Sequence, residues 1–488
     1  MTYQITNKKG ELMENTEKTN TPITKTENTA TKFHPFHDDG ETDKIYKIIS
    51  ELFADELTEA LLPKGDTKKI VEILQTRKEF EDCTTHDNPQ RAREIATDIA
   101  GLGVIETIIK KYNHENIQDI GYNSNHILTI DTAEHKFVYT EKNFDPHINT
   151  QYMLGLINRL AQHEAPSGKQ FVADSPIYNG SAHIGDGDDR IYLRISATHT
   201  SLAPTGPTLS IRVSKSHLAL TKENFNNIAP MMIYNLLHVF IAAHTSIVIS
   251  AETGAGKTEL QKLLLGFVPF DERIVLIEDT NEMHLTTLYP KKDIFSWVSD
   301  PLLTINHKPV NTTTLIEQSL RTNPKWLIVA ESRGDEAYEL ISGARSGHPI
   351  ITTLHATSNA AVPGRLIGMS AMGYKFNEEM LDRDILNYIN IGIHLNLKSN
   401  YHGRKLRYID QIVEYVPRSE KYPDGINILF QQHIDKNGYR TYWINEATDK
   451  LKDHIYRELD EKLKYPTIQK DSPKKEKLFE FKSETGEQ

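Results

Sequence analysis

The stretch SIVISAETGAGKTELQKLLLGF, residues 246–267, most narrows what this chain can fold into. SIVIS is short, mostly apolar and reads as a buried strand. TELQKLLLGF reads as a helix with Leu260, Leu263, Leu264 and Phe267 along one apolar stripe. Between them Ala251, Glu252, Thr253, Gly254, Ala255, Gly256, Lys257 and Thr258 follow the G-x-x-x-x-G-K-[ST] pattern at every fixed position except the first, where alanine stands for glycine. A loop joining a strand to a helix aims its backbone N–H groups and the helix N-terminus at one spot, which favours a phosphate group. The expected ligand of 251–258 is ATP. Lys257 would reach the β- and γ-phosphates and Thr258 would hold Mg²⁺. The plainer alternative is a glycine-rich turn with a solvated lysine. If position 251 needs a left-handed backbone, alanine costs roughly 1–2 kcal/mol there; if not, it costs almost nothing.

The surroundings favour the phosphate loop. From about 228 the chain alternates RIVLIE, WLIVA and IITTLH with the helical runs TTTLIEQSLR and DEAYELISGARS. Such short, almost wholly apolar strands predict an α/β domain with a parallel central sheet buried on both faces. It is expected over 216–445. Upstream, 113–215 predicts a smaller α+β domain, with a turn at Gly121–Asn123 and the strands RIYLRISA and TLSIRVSK. Residues 36–112 carry helical periodicity, with Ile45, Ile48, Ile49 and Leu52 at i, i+3, i+4, i+7. Residues 1–35 are too polar to order themselves, and 446–488 reads as a charged tail that frays.

Composition removes several classes. The 488 residues carry a net charge of −11, against a protein that coats nucleic acid, since such domains are usually basic. Direct sequence-specific nucleic-acid binding is not expected. The single cysteine, Cys83, excludes an internal disulfide framework and fits a reducing cytoplasm. The segment MMIYNLLHVFIAAHTSIVIS, 231–250, has the length of a membrane span. Asn235, His238 and His244 interrupt it at a cost in lipid, and it reads instead as a helix over about 230–243 followed by SIVIS.

Two further strands end on carboxylates. RIVLIEDTNE places Glu278, Asp279 and Glu282 at one tip, and WLIVAESRGDE places Glu331 at another. A carboxylate at the C-terminal tip of a strand beside a phosphate loop can touch Mg²⁺ or a water. One such group can be a chance helix cap; two in order are harder to place by chance. GHPIITTLHA then puts His348 and His355 at either end of a buried strand. A lone histidine there is more often structural, but His355 at the tip could sense a γ-phosphate.

In order, ETGAGKTE, IEDTNEMHL, SLRTNPKWLIVAESRGDEA and SGHPIITTLHATSNAAVPGRL resemble the traffic ATPases of bacterial type II and type IV secretion and type IV pilus systems. That family has a Walker A loop, an aspartate box, a Walker B strand and a histidine box. The resemblance runs from about 115 to 415, with GRKLRYIDQIVEYV similar to the family's C-terminal region. It implies a RecA-like ATPase domain in a homohexamer, with nucleotide held between two domains. Glu331 would be the Walker B glutamate that polarises the attacking water, and Glu278 would assist or share that role. Asp279 would support Mg²⁺, and His348 and His355 are the histidine-box positions. Arg190, Arg194 and Arg212 match basic positions that approach the phosphates. Arg321 and Arg333 are alternatives that read equally well as structural ion pairs. The implied partners are inner-membrane secretion or pilus platform proteins and a DNA-coupling protein, with the chain cytoplasmic and joined to the membrane through them. Ala251 and Ala330 depart from the family's glycines. Together they raise a second reading, an assembly switch with little turnover; a RecA- or helicase-like nucleic-acid motor is a third. Without a four-cysteine zinc module the resemblance narrows to the conjugation-type or tight-adherence-pilus branch.

Overall fold

The computed structural model describes residues 41–53, 55–57, 67–112, 116–123, 127–139, 150–164, 171–184, 190–305, 307–401 and 404–478. The tract 1–35 lies outside them.

The first helices, Glu41–Leu52, Thr67–Thr76 and Pro89–Ala100, enclose a core of Ile45, Ile49, Ile70, Leu74, Phe80, Ile95 and Cys83. The helix Val104–Tyr112, expected with this helical extension, instead packs on the sheet that follows through Val104, Ile105, Ile108 and Ile109. That sheet is antiparallel. Its strands are β1 (Ile117–Asn123), β2 (Ile127–Thr132), β3 (Lys136–Val138), β4 (Ile177–Ile184), β5 (Ile191–Thr198) and β6 (Thr208–Lys215), in the order β3-β2-β1-β6-β5-β4. Gly121–Asn123, expected as a turn, belong to β1: Gly121 sits inside the strand, opposite Thr129 and Ser210. The alternation of Ile120 and Tyr122, both buried, carries the strand through it. In β5, Ile191, Leu193, Ile195 and Ala197 face the core with the helix Thr150–Glu164. Tyr192 and Arg194 therefore stand on the opposite face.

The second sheet holds β7 (Ile247–Ala251), β8 (Ile274–Glu278), β9 (Ile294–Val298), β12 (Trp326–Val329), β13 (Ile350–Leu354), β14 (Ile391–Tyr401), β15 (Arg404–Tyr415), β16 (Ile426–Ile434), β17 (Tyr439–Ile444) and β18 (Lys474–Lys477). A separate hairpin is made by β10 (Asp300–Ile305) and β11 (Lys308–Val310). The order is β18-β17-β16-β15-β14-β7-β13-β12-β8-β9, and every pair from β14 through β9 is parallel. Every residue of β7, β8, β12 and β13 is buried, which is why their sequences are mostly apolar, with Ser250, Glu278, Thr352 and Thr353 the polar exceptions. Helices Lys257–Phe267, Thr312–Ser319, Glu336–Arg345, Val362–Ser370 and Glu378–Tyr388 accompany the sheet. This is an α/β domain built on a largely parallel central sheet, preceded by a smaller α+β domain.

The 231–250 segment divides into the helix Met231–Ala242 and β7. Among the described residues no helix is long and apolar enough to cross a membrane. Within the tail expected to fray, the described residues include a helix, Asp449–Leu459, and the strand β18. Leu451 and Ile455 bury one side of the helix Asp449–Leu459, and β18 pairs with β17. Charge on the outer face does not prevent a segment from docking through a narrow apolar stripe.

Candidate nucleotide site

The strand order settles which predicted residues can meet. β13 lies between β7 and β12, and β8 lies beyond β12. All four are parallel, so their C-terminal tips share one edge of the sheet. Ala251, His355, Glu331 and Glu278 lie along it. His348 does not: it precedes β13 and so sits at the far end of that strand, near Ser346. Arg321 precedes β12 and lies at that same far edge. Neither is placed to touch a ligand of the loop.

Within the loop, Gly254 has φ +77° and Gly256 φ +98°. These left-handed angles favour glycine. Ala251 closes β7, pairs with Leu395 and is not among the positive-φ residues. The family glycine at 251 is therefore not required by backbone angle, and the same holds for Ala330. The helix Lys257–Phe267 has no side-chain cap at its start. Its first N–H groups lack that partner, which suits a phosphate oxygen.

Lys257, 8% exposed, anchors a chain of polar contacts. Its Nζ lies 3.3 Å from Nδ1 and 3.4 Å from Nε2 of His355 and donates to the Glu252 carbonyl at 3.4 Å. His355 Nδ1 lies 3.1 Å from the carbonyl of Ala251. His355 Nε2 lies 3.0 Å from Glu331 Oε1. The other oxygen of Glu331 accepts from Arg333 Nη2 at 2.7 Å, and Arg333 Nη1 reaches within 4.0 Å of Asp279. Burial pushes the Glu331 carboxyl up, but Arg333, Lys257 and His355 outweigh it and hold the group below the usual carboxylate range. Burial lowers the Lys257 ammonium, with Glu331 opposing.

Glu278 behaves differently. It is 2% exposed, and burial pushes its carboxyl up to about 7. Oε1 accepts from the backbone N–H of Glu282 and Met283, while Oε2 is buried with no hydrogen-bond partner. Asp279 accepts from Ser299 and Thr312, both at 3.0 Å.

The α+β domain meets this edge through the outer face of β5 and β6. Arg194 and Arg212 stand opposite each other across the two strands, and Asp119 is opposite Arg212 on β1. Like charges in register repel unless anions balance them. Arg194 donates to Glu282 at 2.8 Å and Arg212 to Asp119 at 3.4 Å. Arg190, just before β5, has a buried Nε without a partner. His284 stacks on Tyr192 with ring centroids 3.7 Å apart and lies 3.1 Å from Ser214 Oγ.

One residue at the loop had no signal in its motifs. Arg407, on β15, donates from Nε to the carbonyl of Gly254 at 2.8 Å and from Nη1 to the carbonyl of Ala133 at 2.7 Å. Its Nη2 donates to Gln118 Oε1 at 3.2 Å. The only hint was the basic cluster Arg404, Lys405 and Arg407 at the start of the strand.

A parallel sheet of this order, with a lysine-bearing loop at one tip and carboxylates at the next ones, defines the phosphate-loop class of α/β domains. The family model described as Type II/IV secretion system protein matches residues 180–386. An uncharacterized protein of Bacillus anthracis is 33% identical over 371 residues, covering 74% of this chain and 77% of that protein. The type IV secretion system protein VirB11 of Brucella suis is 34% identical over 194 residues, covering 39% of this chain. This chain spans only 51% of that relative's length. The X-ray structure of the Legionella pneumophila ATPase DotB aligns with a TM-score of 0.46 at 18% identity, covering 66% of this chain and 82% of that one. The chain belongs to the type II/IV secretion system protein family.

Proposed function

We propose that the protein is a Mg²⁺-dependent ATPase that converts ATP to ADP and phosphate and powers a secretion, conjugation or pilus-assembly machine at the membrane. The observation that carries this reading is the connected set Lys257–His355–Glu331–Arg333 at the mouth of a loop whose two left-handed residues are both glycine.

Each residue has a task that its surroundings suit. The uncapped helix start and Lys257 bind the β- and γ-phosphates. Glu331, kept ionised, is the group placed to orient an attacking water. Glu278 has one oxygen committed to backbone N–H groups and supports that role from the neighbouring tip. His355 joins the lysine to the glutamate and reports the state of the γ-phosphate. Mg²⁺, when bound, supplies positive charge to the phosphoryl oxygens. Thr258 would hold it, with Asp279 behind. Arg194 and Arg212 form a cationic pair that faces the site and would reach the phosphates on domain closure, with Arg190 beside them.

A homohexamer working with membrane platform proteins, cytoplasmic and peripheral to the membrane, fits the family. A DNA-coupling protein would be the partner on the conjugation branch. The low-turnover switch reading drew on Ala251 and Ala330. Neither position has a backbone that needs glycine, so that motive is gone.

The test is Lys257→Ala in the full chain. Phosphate release is expected to fall by more than about 10²-fold with thermal unfolding essentially unchanged. An unaltered rate would sink the reading.

A further inference from the structure

The peptide between Gly254 and Ala255 is held from outside the loop. Arg407 Nε donates to the Gly254 carbonyl. In a trans peptide the carbonyl and the following N–H point in opposite directions. Drawing this carbonyl outward turns the N–H of Ala255 inward, toward the space a phosphate would fill. The arginine side chain also lies along Gly256: a Cβ there would meet Arg407 Cδ at 3.8 Å.

The rest of the same guanidinium is bound in the other domain, by the Ala133 carbonyl just after β2 and by Gln118 on β1. Lys405, two residues earlier and so on the same face of β15, pairs with Asp131 and donates to the Thr132 carbonyl. Its backbone N–H donates to the Glu134 carbonyl at 2.8 Å. Residues 131–134 are thus fastened to β15, and Arg407 alone among these contacts continues into the phosphate loop. A guanidinium is well suited to this, because its donors lie in one fixed plane and can serve three acceptors at once.

We infer that Arg407 is a positioning residue that sets the phosphate-loop peptide and ties it to the seat of the α+β domain, so that nucleotide binding and domain docking share one free energy. This extends the proposed nucleotide reading and depends on it. Linkage is reciprocal: docking of the α+β domain strengthens nucleotide binding by the same factor by which nucleotide strengthens docking. A residue that touches no nucleotide, Gln118, then affects nucleotide affinity.

The experiment titrates a fluorescent ATP analogue against the full chain and its variants. Arg407→Ala is expected to weaken binding by about 10-fold or more, the scale of a lost hydrogen bond to a charged group. Arg407→Lys, which keeps the charge but not the planar fork, does not restore it. Gln118→Ala, a milder change, weakens binding about 2- to 5-fold, and in the double variant it adds nothing to Arg407→Ala. Arg457→Ala, at an exposed position of the helix Asp449–Leu459 remote from both the loop and residues 131–134, leaves affinity unchanged. A second readout separates coupling from mere folding. ATP should slow amide exchange at residues 131–134 in the unaltered chain and not in Arg407→Lys. Equal affinity in the unaltered chain, Arg407→Ala and Gln118→Ala overturns the inference alone. Failure of the unaltered chain to bind the analogue overturns the nucleotide reading and this inference with it.

Discussion

The two sheets are held by different physics. In the parallel sheet, β7, β8, β12 and β13 are buried along their whole length. In the antiparallel sheet, β5 and β6 bury alternate residues and present a polar outer face. The first kind of sheet fixes its own strand tips, because moving one strand exposes apolar surface on both sides. Among the described residues the second meets its neighbour through discrete side-chain contacts, including Arg194 with Glu282, Lys405 with Asp131, Arg407 with Ala133 and the stack of His284 on Tyr192. The placement of Lys257, His355 and Glu331 is therefore robust, whereas the docking of the α+β domain is adjustable. A motor needs both.

The sharpest attack on that contrast is made inside the parallel sheet. Ile328 is fully buried in the middle of β12. Ile328→Ala is expected to cost about 2–5 kcal/mol, read as a lower urea midpoint with an unchanged slope. A cost well below this range would mean that the inner strands do not anchor the site.

Acid should act on the docked contacts first. Burial holds the His284 imidazole down to about 4, with Lys262 contributing, against an ordinary value near 6.5. Between these values the unfolded chain binds a proton that the folded chain refuses. The stability this group contributes is fully present above about pH 6.5 and is lost as pH falls toward 4. His284→Gln should flatten that acid limb of a thermal unfolding series while changing little at pH 7.5. An equally steep limb in the variant would remove His284 from the account.

The smallest effect belongs to Ala251→Gly. Because residue 251 ends a strand with no left-handed angle, glycine should leave ATP-analogue affinity unchanged and cost no more than about 1 kcal/mol, through the looser unfolded chain. Tighter binding in the variant would restore the view that this loop is defective.

Much of this was legible in the sequence, and the reasons are specific. Apolar runs ending in Gly-rich or acidic residues marked the tips of β7, β8 and β12, so Lys257, Glu278 and Glu331 could be placed before any coordinates. His348 misled because a histidine before a strand and one after it look equivalent in a motif, yet five strand residues separate them. Arg407 was illegible for another reason. Two of its three acceptors are backbone carbonyls, which carry no side-chain signature, and they lie 153 and 274 residues away. The tail helix was hidden because its buried residues, Leu451 and Ile455, form only a narrow stripe among charges.

The strand β13 also works as a ruler. Neighbouring strands stand about 4.8 Å apart, so inserting one between β7 and β12 sets the loop and the Glu331 tip roughly 10 Å from each other. A direct β7–β12 neighbourhood would halve that span and leave no room for a terminal phosphate with a water beyond it. On the proposed reading, the spacer gives the attacking water its place, and His355 at the spacer's own tip marks the midpoint.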